Sequence, residues 1–322
     1  MKSQTDFDAF YQTDLQPVLT ELEARRLQIV RTLTFIGVAA LVLLGAMALV
    51  LREALLQPAA LIIVLAVLAL GGGLVWKLVT GDFVAEFKRR VIGALVRFHD
   101  PSLRYDAAQH VAESQFRASG IFPDRIDRFR GEDCVAGRVG ETAVEFSELH
   151  AEYKTETRDS KGHRRTQWHT IFKGLFFVAD FNKDFKGETV VLPDVAQRLL
   201  GFLGQKLQEM NLRRGDLIKL EDPEFEKEFV VYGTDQIESR YILSTSLMRR
   251  ILEYKRKTGK ALHLSFANSN IYVAITTGRD MFEPRLFRSL VGAETLREYL
   301  DDLQMILGIV EDMNLNTRIW TK

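Results

Sequence analysis

The chain has 322 residues, of which 47% are apolar and 27% charged, and its 43 basic side chains balance 43 acidic ones. This zero net charge argues against nucleic acid as the main partner, since phosphate backbones are normally bound by a basic excess. A single cysteine excludes a disulfide framework and any cysteine-based zinc or iron–sulfur site within one chain.

Two uncharged apolar runs lie early in the chain, at residues 32–51 and 54–76. A helix needs about 20 such residues to cross the hydrocarbon core of a membrane. Gln57 and Pro58 are typical of a tight connection followed by the first turn of a helix. The pair therefore predicts a transmembrane hairpin. A buried hairpin in a soluble core is the less favoured alternative, because core helices are usually amphipathic.

Basic residues that flank the two runs predict their orientation. Arg31 precedes the first run and a basic cluster beginning at Lys77 follows the second, whereas the connection has only Arg52. We therefore expect both termini in the cytoplasm. Ala69 and Gly73 form a small-xxx-small pair, which predicts close helix packing in the membrane and favours a homo-oligomer.

The segments next to the runs carry apolar stripes at helical spacing. The stripes consist of Phe7, Phe10, Leu15, Leu19 and Leu22 before the runs, and of Phe83, Phe87, Val91, Leu95 and Phe98 after them. We expect the two helices to pair as a stalk. A membrane-surface helix over residues 88–97 is the alternative. Residues 1–100 thus form a predicted unit of N-terminal helix, hairpin and juxtamembrane helix.

Residues 101–322 are predicted to form a cytoplasmic α+β domain, in which helices pack on a mainly antiparallel sheet. The expected strands are residues 133–138, 142–154, 168–181, 188–192, 217–220, 225–232, 262–267 and 271–276. The expected helices are residues 102–119, 194–212, 245–257 and 294–313. A change of apolar face predicts a bulge near Ser147 or Glu148. A division into two subdomains near residues 213–224 is the alternative to a single domain.

Residues 155–167 contain almost no large apolar side chain, which predicts a long mobile loop. Its basic residues are Arg158, Lys161, Arg164 and Arg165. Such residues would contact a partner, or anionic lipid at about 1 kcal/mol each. A solvated loop is the favoured interpretation, because Glu156 and Asp159 dilute the charge.

No motif in the sequence indicates a catalytic residue, a cofactor or a metal. His150 and His169 flank the predicted loop, and with Asp180 they are the best candidates for a carboxylate/histidine site. Their spacing matches no metal-ligand motif. Cys134 follows an aspartate in a predicted strand, which favours a structural thiol over a nucleophile.

Several phrases of the cytoplasmic part, together with the hairpin, resemble a known family. They are residues 131–133 (Gly-Glu-Asp), 146–151, 171–177, 179–183, 240–243, 264–267, 272–275 and 282–284. The chain is similar over nearly its whole length to the bacterial family catalogued as domain of unknown function 3137. This resemblance implies a multi-pass protein of the bacterial inner membrane, often encoded near membrane-anchored helical proteins of the LemA type. It implies no activity.

The sequence therefore favours a membrane-anchored, non-enzymatic scaffold or adaptor that binds a protein partner, for example of the LemA type, or assembles with itself. Two alternatives remain open. One is an inner-membrane enzyme with a carboxylate/histidine site, and the other is an anionic-lipid sensor that acts through residues 155–167.

Overall fold

The computed structural model describes residues 4–50, 58–158, 164–194 and 215–316. The chain divides into two compact units. The first comprises Met1–Leu95 and Phe282–Tyr299, and the second comprises Val96–Met281 and Leu300–Lys322. The predicted helix over residues 194–212 lies, beyond Asp194, outside the described residues. The domain boundary near residue 100 and the split near residues 213–224 stay predictions.

The first unit contains two long apolar helices, as predicted. The chain runs through α1 (Gln4–Phe10), a π-helical turn (Tyr11–Leu15) and α2 (Gln16–Val50), then through α3 (Pro58–Phe87), a second π-helical turn (Lys88–Ile92) and α4 (Gly93–His99). Both α2 and α3 lie in stretches long and apolar enough to cross a membrane. Their apolar side chains are mostly exposed, which is unfavourable in water and favourable in lipid.

Outside the apolar runs the two helices pair in antiparallel fashion. Arg90 contacts Glu21 at 2.8 Å, and Arg25 contacts Glu86, so residues early in one helix meet residues late in the other. The predicted stripe residues are buried, except for Phe10 and Phe98, which are half-buried. This burial supports the paired stalk and contradicts a membrane-surface helix over residues 88–97.

A distant segment of the chain, residues 282–292, packs on these helices within the first unit. Arg26 Nη1 donates to the carbonyl oxygen of Leu286 at 2.7 Å, and the buried Lys88 Nζ contacts Glu283 at 2.8 Å. Phe287 is 77% exposed, and its ring centroid lies 6.2 Å from that of Trp76 at the end of the second apolar run. The segment therefore adds an exposed aromatic side chain beside the end of the second apolar run.

The second unit contains a nine-stranded sheet in the order β1-β2-β3-β4-β9-β8-β5-β7-β6, with every described pair antiparallel. The strands are β1 (Arg104–Asp106), β2 (Arg128–Val139), β3 (Thr142–Arg158), β4 (Arg164–Asp180), β5 (Thr189–Pro193), β6 (Asp216–Ile218), β7 (Phe229–Gly233), β8 (Leu262–Ala267) and β9 (Asn270–Thr276). The helices are α5 (Glu113–Ala118), α6 (Pro223–Glu228), α7 (Gln236–Ile242) and α8 (Thr245–Thr258), while α9 (Ala293–Asp312) contains residues of both units. The predicted α+β fold is confirmed.

The core is built on both faces of the central strand β4. Phe176 lies on one face, where its ring centroid is 5.1 Å from that of the fully buried Phe116 of α5. Phe177 lies on the opposite face, because side chains alternate along a strand, and stacks on Phe146 at 6.2 Å. This double burial explains why β4 is apolar on both faces.

Turn and cap residues behave as the sequence predicts. Gly259 ends α8 in the left-handed conformation, with φ of 63°. Asn268 and Ser269 both have positive φ, so they form the tight turn that joins β8 to β9.

Two local predictions are wrong. Of residues 102–119 only Glu113–Ala118 is helical, since residues 104–106 instead pair with β2. Helix α6 occupies the start of the strand predicted over residues 225–232, because the Asp222 side chain accepts two backbone N–H bonds and caps a helix there. The bulge predicted near Ser147 or Glu148 is present in the pairing of β2 with β3, where the register shifts between Glu132 and Val135 and the extra residue lies on β2. A second register shift, of β3 against β4, lies between residues 151 and 152.

The two polar side chains at this bulge, Ser147 and Glu148, are buried, and both have partners. The backbone N–H of Val111 donates to Ser147 Oγ at 2.9 Å. The backbone N–H of Met281 donates to Glu148 Oε1 at 2.7 Å.

Candidate functional site

The segment predicted as a mobile loop, residues 155–167, is a two-stranded β-ribbon instead. Strands β3 and β4 stay paired as far as Arg158 and Arg164, which face each other. The connection between them, including Lys161, lies outside the described residues. Among the described strands, β2 pairs with β3 only as far as Glu152, and β9 pairs with β4 only from residue 174 onward. Beyond these residues β3 and β4 pair, in the described part of the chain, only with each other. We call residues 153–158 and 164–170 the ribbon.

Tyr153 and Trp168 are the large apolar side chains of the ribbon, and its other side chains are polar and mostly exposed. Its β-branched threonines favour the strand conformation. Glu156 accepts from Lys154 at 3.0 Å and pairs with Arg164 at 2.6 Å. The hydrogen bond from Lys154 and the charge of Arg164 lower the pKa of Glu156. Within the part of the chain that the structure describes, Arg158 and Arg165 make no ion pair, so their charge is available to a partner.

An aromatic and cationic cluster lies at the base of the ribbon. The Arg128 guanidinium lies 3.8 Å from the ring centroid of Trp168, whose side chain is 38% exposed. Glu152 contacts Arg128 at 3.3 Å and Arg130 at 2.9 Å. These pairs hold the guanidinium over the indole, so the cluster presents an ordered surface. Sequence reasoning missed it because Arg128 lies on a different strand from the ribbon.

The structure does not bring the predicted carboxylate/histidine residues together. His150 lies 3.7 Å from Glu152 in a cleft of about 360 Å³, and burial lowers the pKa of this histidine. His169 instead stacks on Tyr153 within the ribbon at 4.8 Å. Asp180 is at the other end of β4 and accepts from the backbone N–H of Asn182. The described residues contain no group of three side chains suited to hold a metal.

Cys134 is buried, and its Sγ lies 3.8 Å from Glu145 Oε1. Burial first, and then the charge of Glu145, raise the pKa of this thiol to about 12. A nucleophilic cysteine needs the opposite shift. The environment is that of a structural thiol.

Ala69 and Gly73 are exposed on α3. A Cβ atom added at Gly73 would meet no atom within 4 Å. Packing between copies of the chain through these residues therefore stays a prediction.

The second unit also contains a pocket that sequence reasoning missed. It has a volume of about 430 Å³, and three of its lining residues are Lys183 after β4, Arg240 of α7 and Arg250 of α8. We call it the cationic pocket. Lys183 Nζ lies 5.3 Å from the ring centroid of Phe181 and 4.9 Å from that of Tyr241. The three cations come from separate elements, so no local sequence signal announces them.

The fold defines a class: a protein with two helices able to cross a membrane and an antiparallel α+β domain. Residues 170–315 match the model of the family described as protein of unknown function (DUF3137). The resemblance seen in the sequence is confirmed there. No curated protein and no solved structure matches the chain. The matched residues contain the whole cationic pocket but, of the ribbon, only Thr170.

Proposed function

We propose that this protein is a membrane-anchored, non-enzymatic adaptor. Residues 32–76 form its transmembrane hairpin, and its α+β domain binds a protein partner in the cytoplasm through the ribbon and the cluster at its base. The observation that carries the proposal is a β-ribbon that extends beyond the sheet and presents Trp168 beneath the Arg128 guanidinium at 3.8 Å.

The exposed apolar surface of α2 and α3 supports the anchor. Trp76 and Phe287 form an aromatic pair at the end of the second run, and aromatic side chains are enriched at membrane interfaces. Arg31 and Lys77 flank the runs and favour the cytoplasm for both termini. With the family resemblance, these features support a bacterial inner-membrane location.

The ribbon is suited to bind a protein. A two-stranded hairpin is marginally stable by itself and adds little to the core, so stability alone does not account for it. Its open edges can pair with a strand of a partner, and exposed tryptophan and arginine are frequent in binding hot spots. We propose a membrane-anchored helical protein of the LemA type as the partner. A second copy of this chain is the alternative occupant.

The test is gentle extraction of the full-length chain from its own membranes, followed by measurement of the mass of the complex. We expect a stoichiometric companion chain, or a discrete oligomer, with the wild type. Trp168→Ser should remove it, whereas the matched control Ile237→Ser, at an 84% exposed apolar residue away from the ribbon, should not. A monomer with nothing attached would contradict the proposal, as would equal effects of the two substitutions.

A second candidate function is anionic-lipid sensing by the ribbon. The exposed Arg158 and Arg165, which lack ion pairs within the described residues, favour it. In this case Arg158→Gln with Arg165→Gln should weaken binding to anionic vesicles by about 2 kcal/mol at low salt. Vesicle binding that ignores both the anionic fraction and the salt would exclude this function.

A further inference from the structure

We propose that the cationic pocket binds a small phosphate-bearing molecule, a function that goes beyond the adaptor role. Lys183, Arg240 and Arg250 would hold the phosphate.

The cationic pocket carries positive charge that its own lining does not balance. The residues that line the pocket include these three cations and neither an aspartate nor a glutamate. In the described part of the chain, none of the three makes an ion pair. Burial lowers the pKa of the half-buried Lys183, as expected for a lysine without a counter-charge. A pocket lined by charges of one sign attracts counter-ions, so these three cations favour an anionic ligand.

The cationic pocket also offers hydrogen-bond donors that suit a phosphate. Arg240 Nη2 donates to the carbonyl oxygen of Lys219 at 3.2 Å, and Arg250 Nη1 donates to that of Asp312 at 3.3 Å. Each bond fixes one end of a guanidinium and leaves further N–H groups for a ligand. The 14-residue helix α8 begins at the pocket, where Ser244 and Ser246 line it. Arginine forks, hydroxyls and a helix N-terminus together match a phosphate better than the single charge of a carboxylate.

The cationic pocket has an apolar wall and a volume that can hold more than a phosphate. The pocket wall is partly apolar, with the rings of Phe181 and Tyr241 beside Leu247 and Met313. Its volume of about 430 Å³ lies within the usual range of about 300–1,000 Å³ for small-molecule sites. We therefore infer an organic phosphate that also carries a flat or apolar group, of the size of a nucleotide.

The experiment uses the full-length chain in lipid nanodiscs and measures binding of inorganic pyrophosphate and of adenosine diphosphate by equilibrium dialysis. Lys183→Met keeps the stem of the side chain against the rings and removes the charge. We expect about tenfold or more weakening of binding, since one charge-assisted hydrogen bond is lost. Arg250→Gln is the second variant, with the same expectation. Lys186→Met is the matched control, because this exposed lysine lies three residues away and does not line the pocket.

Absence of binding by the wild type at millimolar concentration would overturn the proposal, as would equal losses in Lys183→Met and Lys186→Met. Competition distinguishes the sources of the phosphate. Displacement of pyrophosphate by adenosine diphosphate supports a soluble organic phosphate, and displacement by glycerol 3-phosphate supports a lipid headgroup. An unchanged thermal transition of each variant separates lost binding from lost folding.

Discussion

The Cys134 thiol should react slowly with a disulfide reagent in the folded protein. Its pKa is raised to about 12, whereas an unfolded cysteine titrates near 8.5. At pH 8 the thiolate fraction is then about 10⁻⁴ in the folded chain and roughly one quarter in the unfolded chain. A more basic thiolate is intrinsically more nucleophilic, so each folded thiolate reacts about 40-fold faster, which partly offsets its lower fraction. The net expectation is a rate about 60-fold lower, before steric shielding by the surrounding protein adds to it.

The assay compares the chain in detergent with the chain in denaturant, and it is clean because the sequence contains one cysteine. Glu145→Gln removes a charge that raises the thiol pKa, so it should accelerate the reaction, while Glu141→Gln at the exposed turn should not. A folded rate within threefold of the unfolded rate would refute the reasoning. The same shift predicts that unfolding becomes easier between about pH 8.5 and 12, because the unfolded thiol loses its proton first.

The remaining predictions concern packing and the membrane boundary. Phe116→Ala should lower the free energy of unfolding by about 3–5 kcal/mol, since the ring is fully buried among other aromatic rings; a loss below about 1 kcal/mol in denaturant titration would contradict this. Gly174→Ala should destabilise by about 1–3 kcal/mol, because the added Cβ overlaps the carbonyl oxygen of Ile275, and faster amide exchange in β9 should report it. An environment-sensitive fluorophore on Phe287→Cys should emit as in a membrane interface and be quenched by spin-labelled lipid, whereas the same label on Ile237→Cys should not; equal quenching would contradict the interfacial position.

Strong local signals in the sequence predicted much of the fold. The two long helices were predicted from the length of the uncharged runs at residues 32–51 and 54–76. Their pairing was predicted from the apolar stripes beside those runs. Gly259 and the turn at Asn268 needed only backbone conformational preferences. The ribbon was mistaken for a loop, because a strand exposed on both faces lacks the apolar alternation that identifies strands.

Helix α6 was missed although its signal is local, because the apolar run that begins at Phe225 suggested a strand and outweighed the cap at Asp222. Other features depend on tertiary structure. Residues 282–292 contact α2 through Arg26, and no local sequence pattern predicts a contact between residues so far apart in the chain. The cationic pocket has the same origin, because its three basic residues meet only after the sheet has brought separate elements together.

The measurement that tests the central claim most directly is the topology of the hairpin. Single cysteines are introduced at Thr5, Gln57 and Ile237, with the slow-reacting Cys134 left in place, and intact cells are treated with a membrane-impermeant maleimide. We expect only Gln57→Cys to be labelled before lysis, and the other two variants to be labelled after it. Labelling of Ile237→Cys in intact cells, or recovery of the full-length chain in the soluble fraction, would contradict a hairpin anchor with the rest of the protein in the cytoplasm.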